Sequence, residues 1–178
     1  VRRLYGDLAW TWPIISPFED YIEETELFSK LIKEHSKIAV KTLLNLGCGG
    51  GHNDYTFKKH FKVISVDISE DILRLAKKLN PEVSYQYGDM RTIRLGERFD
   101  AVTIRDSINY IRTVEDLQRT FIISYEHLKP GGVFLTFVEK IAGQFKQNDT
   151  SYSTHSQGNV EITFIENHYD PDPTNTSY

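Results

Sequence analysis

The stretch "LLNLGCGGGHND", residues 43–54, sets four glycines and the chain's single cysteine at the end of an apolar run. A short run of this kind suits a strand buried on both faces, and glycines directly after it let a ligand or another segment approach the backbone closely. Gly47, Gly49 and Gly51 stand at alternate positions. A phosphate-cradling loop needs a Lys-Ser/Thr pair after its last glycine, whereas His52-Asn53-Asp54 stands there. A dinucleotide fingerprint would place its third glycine where His52 sits, and Asp54 would repel a pyrophosphate. Two readings remain open: a turn that merely packs a helix on a strand, and a pocket for a nucleoside without phosphate.

Working outward, the chain alternates apolar strands with amphipathic helices. "KVISVDIS" is the second strand; Asp67 at its end can accept hydrogen bonds from both ribose hydroxyls of a nucleoside, while Ser69 supplies the cap of the next helix. "VSYQY" is the third strand, followed by "YGDM", where Asp89 can face an adenine amino group or stand as a solvated loop acid. "FDAVTIR" is the fourth, and "GGVFLTFVE" the fifth after a turn at Lys129-Pro130-Gly131-Gly132. Helices are expected from Ser16, as cap of a box closed by Glu19, to about Ser36; over residues 52–60; from a Ser69 cap to just before Asn80-Pro81; and from Thr113, with Asp116 at the box position, to about Leu128. The fold class that follows is α/β, a doubly wound and mostly parallel sheet with helices on both faces, whose ligands bind at the carboxyl ends of the strands.

Past Val138 the pattern changes. Residues 158–169 alternate apolar Val160, Ile162 and Phe164 with Glu161, Thr163 and Ile165, which predicts an antiparallel strand with one wet face and no partner after it. The expected organisation is one domain in three parts: residues 1–40 as an N-terminal cap segment and helix, 41–140 as the ligand-binding core, and 141–178 as a lid or insertion.

The net charge of −4 over 178 residues weighs against a nucleic-acid partner. No apolar run is long enough for a bilayer, no secretory signal is legible, and the absence of a starting Met implies that the chain begins partway into a gene product. A lone cysteine, Cys48, cannot form an internal disulfide, so a reducing cytoplasm is expected. Six histidines show no metal-ligand spacing, and no metal is expected; His52 reads more readily as a loop residue than as a catalyst.

In this order, "LLNLGCGGG", "VISVDIS", "YGDM", "FDAVTIRDSINYI" and "LKPGGVFLTF" resemble the landmarks of class I S-adenosylmethionine-dependent methyltransferases, over about residues 18–140. The resemblance implies a Rossmann-like methyltransferase fold, S-adenosyl-L-methionine as cofactor and S-adenosyl-L-homocysteine as product. It lays Gly47, Gly49 and Gly51 against the methionine and ribose, Asp67 on the ribose hydroxyls, and Asp89 with Met90 on the adenine, with Cys48 and Ile68 also among the cofactor-binding residues. Asn45, Arg105, Asp106 and Ser107 complete that surface. The segment "RDSINY" falls beside the transferred methyl, with Asp106, Asn109 and Tyr110 as catalytic candidates. Tyr5, Trp10 and Trp12 either fold over the cofactor or staple the entry segment by apolar packing.

The tail is similar to the antiparallel lid of glycine and amino-sugar N-methyltransferases, which implies homodimer assembly through its strands. Two departures stand out. Asn45 occupies a position where the family usually has Asp or Glu, and the family's final helix and strand pair are missing, so the chain is expected to be incomplete at its C-terminus. The activity implied is methyl transfer to an N or O atom of a small molecule; an RNA or protein methyltransferase of the same fold, and a non-catalytic cofactor-binding module, are the alternatives.

Overall fold

Thr42–Leu46 (β1) takes the centre of a five-stranded sheet because Leu43 and Leu44, on opposite faces, both find apolar neighbours. Around it lie Lys62–Asp67 (β2), Ser84–Tyr87 (β3), Phe99–Ile104 (β4) and Leu128–Thr136 (β5), in the order β3-β2-β1-β4-β5 with every pairing parallel. The computed structural model describes residues 3–138 and 145–172. The part boundary expected at residues 140–141 lies outside them.

Among the described residues, Trp12–Ile15 (α1) lies in the N-terminal segment, and four α-helices flank this sheet: Ile22–His35 (α2), Asp54–Phe57 (α3), Glu70–Leu79 (α4) and Val114–Glu126 (α5). Phe28 and Ile32 of α2, Phe57 of α3 and Leu73 of α4 cover one face against Leu43 and Ala101. Leu117 of α5 and Ile93 from the loop after β3 cover the other, against Leu44, Leu46 and Val102. The sheet is thus doubly wound with helices on both faces, and its strand order reverses at β1, where the loops after β1 and β4 leave in different directions.

Local capping chemistry is realised at two of the three predicted capping residues. Ser69 Oγ accepts from Ile72 N at 3.2 Å and Thr113 Oγ1 from Asp116 N at 3.1 Å. The third differs. Ser16 does not cap: its hydroxyl is bonded to Tyr21 Oη at 2.6 Å, residues Phe18–Tyr21 form a 3-10 turn, and regular helix begins only at Ile22. At β5 the strand also starts earlier than the glycine turn suggests. Leu128 already pairs with Phe99, and Lys129-Pro130-Gly131-Gly132 bulges out before Val133 pairs with Ala101.

The tail holds an antiparallel hairpin, Asp149–Gln157 (β6) and Val160–His168 (β7), turned at Gly158. The partner of the predicted strand therefore precedes it. β6 reads "DTSYSTHSQ", with no apolar alternation, so nothing local marked it as a strand.

Candidate functional site

The loops that follow β1, β2, β3 and β4 all leave the sheet at its carboxyl edge, and together with the N-terminal segment they enclose a cavity of about 650 Å³. Its floor is the glycine loop. Gly49 has φ of +54° and nothing within 4 Å of where a Cβ would stand, so this residue leaves open space on the cavity side. The other two glycines answer to the protein itself. A Cβ on Gly47 would collide with Ser107, and one on Gly51 would come within 2.7 Å of Tyr85 Oη and 2.8 Å of Asn80 Nδ2.

Asp67, at the end of β2, faces the same space. Its Oδ2 accepts from Gly49 N at 2.9 Å and its Oδ1 from Ser69 N at 3.0 Å, so one carboxylate ties the glycine loop to the start of α4. Burial raises its pKa, and the surrounding backbone N–H groups oppose that rise. Each oxygen keeps a further lone pair for a ligand donor. Ser69 Oγ also donates to the carbonyl of Tyr5, which anchors the N-terminal segment over this corner.

Beyond β3, Asp89 and Met90 line the cavity, but the Asp89 carboxylate is already engaged by Arg91. Arg91 Nε and Nη2 approach its oxygens at 3.0 and 2.6 Å, and the Arg91 N–H donates to Oδ1 at 2.9 Å. The Arg91 hydrogen bond holds the Asp89 carboxyl below the usual range despite its partial burial. Arg91 Nη1 reaches on to Asp116 Oδ2 at 2.7 Å, so this loop is fastened to α5.

After β4, Arg105, Asp106, Ser107 and Tyr110 contribute the opposite wall. Arg105 is only 3% exposed. Its Nη2 donates to Glu24 Oε2 at 2.8 Å, Asp106 lies 3.9 Å away, and its guanidinium rests 4.0 Å above the Phe28 ring. The roof is aromatic: Tyr5 and Tyr110 join their hydroxyls at 2.5 Å, and the Trp12 ring stacks on His52. Burial lowers the His52 pKa to about 4, which keeps that imidazole neutral. Burial likewise pushes the Cys48 thiol far up, leaving it a protonated filler between glycines.

Among the sequence candidates, then, the fold gathers Tyr5, Trp12, Gly47, Cys48, Gly49, Asp67, Ile68, Asp89, Met90, Arg105, Asp106, Ser107 and Tyr110 around one space. Four others stand elsewhere. Asn45 is buried under the loop and bonded to Asp54; Gly51 packs against Tyr85 and Asn80; Asn109 is exposed; and Trp10 is 53% exposed, away from the cavity. The 3-10 turn Asp106–Tyr110 explains Asn109, because neighbouring residues on a tight turn point in different directions. Tyr21, Asn53, Arg91 and Arg112 also line the cavity and escaped sequence reasoning. For Arg91 the spacing to Asp89 was the available signal; Tyr21 offered none.

Residues 43–132, half of the chain, match the family described as methyltransferase domain. A dTDP-3-amino-3,6-dideoxy-alpha-D-glucopyranose N,N-dimethyltransferase of Streptomyces fradiae is 31% identical over 92% of this chain and 70% of its own length. A dTDP-3-amino-3,4,6-trideoxy-alpha-D-glucopyranose N,N-dimethyltransferase of Streptomyces venezuelae is 36% identical over 117 residues, 65% of this chain. Among solved structures, Streptomyces venezuelae DesVI superposes with a TM-score of 0.80 at 28% identity, over 86% of this chain and 65% of its own. S-adenosylmethionine-bound CalS10 from Micromonospora echinaspora, an amino pentose methyltransferase, does so at 0.77 and 25%, over 85% and 65%. The chain belongs to the methyltransferase-domain family. It spans 49% of the Streptomyces venezuelae relative's length.

Proposed function

We propose that this chain binds S-adenosylmethionine in the large cavity and directs its methyl group to a nitrogen of a small molecule of the amino-sugar class, leaving S-adenosylhomocysteine. The observation that carries this reading is the pairing of Gly49, open to the cavity, with the Asp67 carboxylate above it. The names of the relatives, N,N-dimethyltransferases of amino sugars, point the same way.

In this reading Gly49 admits the methionine and ribose by close backbone approach, Gly47 lines the cavity beside it, and Asp67 accepts from the ribose hydroxyls. Ile68 and Met90 flank the adenine, while Asp89, engaged by Arg91, shapes the loop. The bound sulfonium supplies an already activated methyl group, so the protein's task is alignment and exclusion of water, which can contribute roughly 7 to 11 kcal/mol. Tyr5, Trp12 and Tyr110 roof the cavity and shield it from water. An amine attacks only as its free base, and Asp106, on the wall beside Arg105, is the group placed to accept the proton.

Homodimer assembly through the hairpin belongs to the same proposal. On its outer face Tyr152 pairs with Ile165 in register, and both are exposed. Calorimetric titration with S-adenosylhomocysteine tests the binding site, and methyl transfer to a panel of dTDP-3-amino sugars tests the acceptor. Binding in the micromolar range is expected; its absence overturns the proposal.

A further inference from the structure

A row of polar side chains crosses the sheet beneath the glycine loop. Thr103 of β4, Asn45 of β1, Ser65 of β2 and Tyr85 of β3 are paired in register, so they share one face, and all four are buried. Two further buried groups close over them. Asp54, the first residue of α3, accepts from Asn45 Nδ2 at 2.8 Å; Asn80, just past the end of α4, donates through Nδ2 to Tyr85 Oη at 3.1 Å and to the Gly51 carbonyl at 2.8 Å. Gly51 O also accepts from Tyr55 N, so the end of the loop and the first turn of α3 are held as one piece.

Donors and acceptors do not balance in this row. Asp54 Oδ2, Asn45 Oδ1 and Asn80 Oδ1 are buried and, among the described residues, have no hydrogen-bond partner. An ionised Asp54 offers only acceptors, whereas a proton on its carboxyl supplies a missing donor. Burial raises its pKa to about 6, while the side chains of Asn45, Ser65 and Tyr85 and the charge of Lys58 pull the other way. Lys58 is itself paired with Glu82 at 2.7 Å. The other neighbours bring no countercharge: the Cys48 thiol and the Tyr85 phenol are pushed up by burial and stay protonated, Asn80 of α4 is an amide, and Thr25 of α2 is bonded to Asn53.

We propose that Asp54 is a positioning residue of the methyl-donor site: its carboxyl proton completes the polar row and holds the glycine loop in the shape that admits the donor, so donor binding takes up a proton at Asp54. The inference rests on reading the large cavity as the donor site. A ligand over Gly49 clamps the loop onto the row and keeps water from it, which favours the neutral acid; by reciprocity the neutral acid favours the ligand.

Calorimetric titration of S-adenosylhomocysteine between pH 5 and 7, repeated in buffers of different ionisation enthalpy, measures the protons taken up. Wild type is expected to bind about fivefold more tightly at pH 5 than at pH 7 and to take up about half a proton per ligand near pH 6.5. His52, with its pKa lowered to about 4, stays neutral over this range. Asp67, buried beside the ligand space, is the rival source of the proton, and two variants separate the two acids. Asp54→Asn, whose amide donates where the acid does, is expected to bind at one affinity across the range without proton uptake. Tyr85→Phe keeps the acid but removes a hydroxyl that favours its ionised form, so uptake is expected to persist with its maximum moved to higher pH. Wild-type binding without proton uptake, uptake that survives Asp54→Asn, or a maximum left in place by Tyr85→Phe overturns the proposal. Absence of S-adenosylhomocysteine binding at every pH overturns the donor-site reading, and the linkage with it.

Discussion

Asn45 Nδ2 donates to Asp54 Oδ1 across 2.8 Å, and both side chains are buried directly beneath the glycine loop. The strand-end position that usually carries an acid in this family carries an amide here, and an acid stands nine residues further on, within hydrogen-bonding reach. Asn45 is therefore turned into the protein rather than toward the cavity. Asp54 sits fully buried, and that burial lifts its pKa from 3.8 to about 6, against the opposing pull of the Asn45 hydrogen bond.

The first prediction concerns stability against pH. Because the folded pKa of Asp54 lies above its unfolded value, the folded state holds the proton more tightly between about pH 4 and 6. The contribution is fully present below 3.8 and is lost as pH rises through about 6. Urea unfolding of wild type and Asp54→Asn at pH 4 and 7 should show wild type losing stability relative to the variant, on the order of 3 kcal/mol. A difference that does not change with pH contradicts the assignment.

Restoring the acid to the strand should harm the protein. In Asn45→Asp two carboxyls face each other across a hydrogen-bond distance in a dry interior, so both cannot be ionised. We expect a loss of about 1 to 3 kcal/mol at neutral pH. The loss should be smaller near pH 5, where one proton can bridge the pair; thermal melts at the two values decide it.

The glycines should separate by phenotype. Gly51→Ala pushes a methyl into Tyr85 and Asn80 and should cost about 1 to 3 kcal/mol of stability. Gly49→Ala meets no protein atom and carries only the strain of its positive φ, so its melting temperature should fall less. Its affinity for S-adenosylhomocysteine should fall more than tenfold, because the new methyl points into the space the ligand needs. Equal ligand affinity in Gly49→Ala and wild type would show that the loop does not face the ligand.

Asp67→Asn separates anchoring from binding. The amide oxygen can still accept from Ser69 N or Gly49 N, so the ligand-free melting temperature should move by only a few degrees. The charge proposed to accept from two ribose hydroxyls is gone, and S-adenosylhomocysteine affinity should drop tenfold to a hundredfold, about 1.4 to 2.8 kcal/mol. Calorimetry on the two proteins measures both.

The parts legible from sequence are those governed by neighbours along the chain. Apolar runs marked β1 to β5, Ser69 and Thr113 announced helix starts, and strand–helix alternation set the parallel sheet that brings Asp67, Asp89 and the Arg105–Tyr110 segment to one edge. Ser16 misled because Tyr21, five residues on, took the hydroxyl that a cap would have used. The rest depended on which side chains share a space once the sheet has closed. Arg105 meets Glu24 across 81 positions, β6 becomes a strand only by pairing with β7, and Gly47 and Gly51 are required by Ser107, Tyr85 and Asn80 rather than by a ligand. Residue types and their periodicity set the layers, since burial of an apolar face follows a repeat of two or 3.6 residues. The direction in which Asn45 points was decided by tertiary packing alone, because a polar side chain near the end of a strand turns toward whichever hydrogen-bond partner or cavity the fold places beside it.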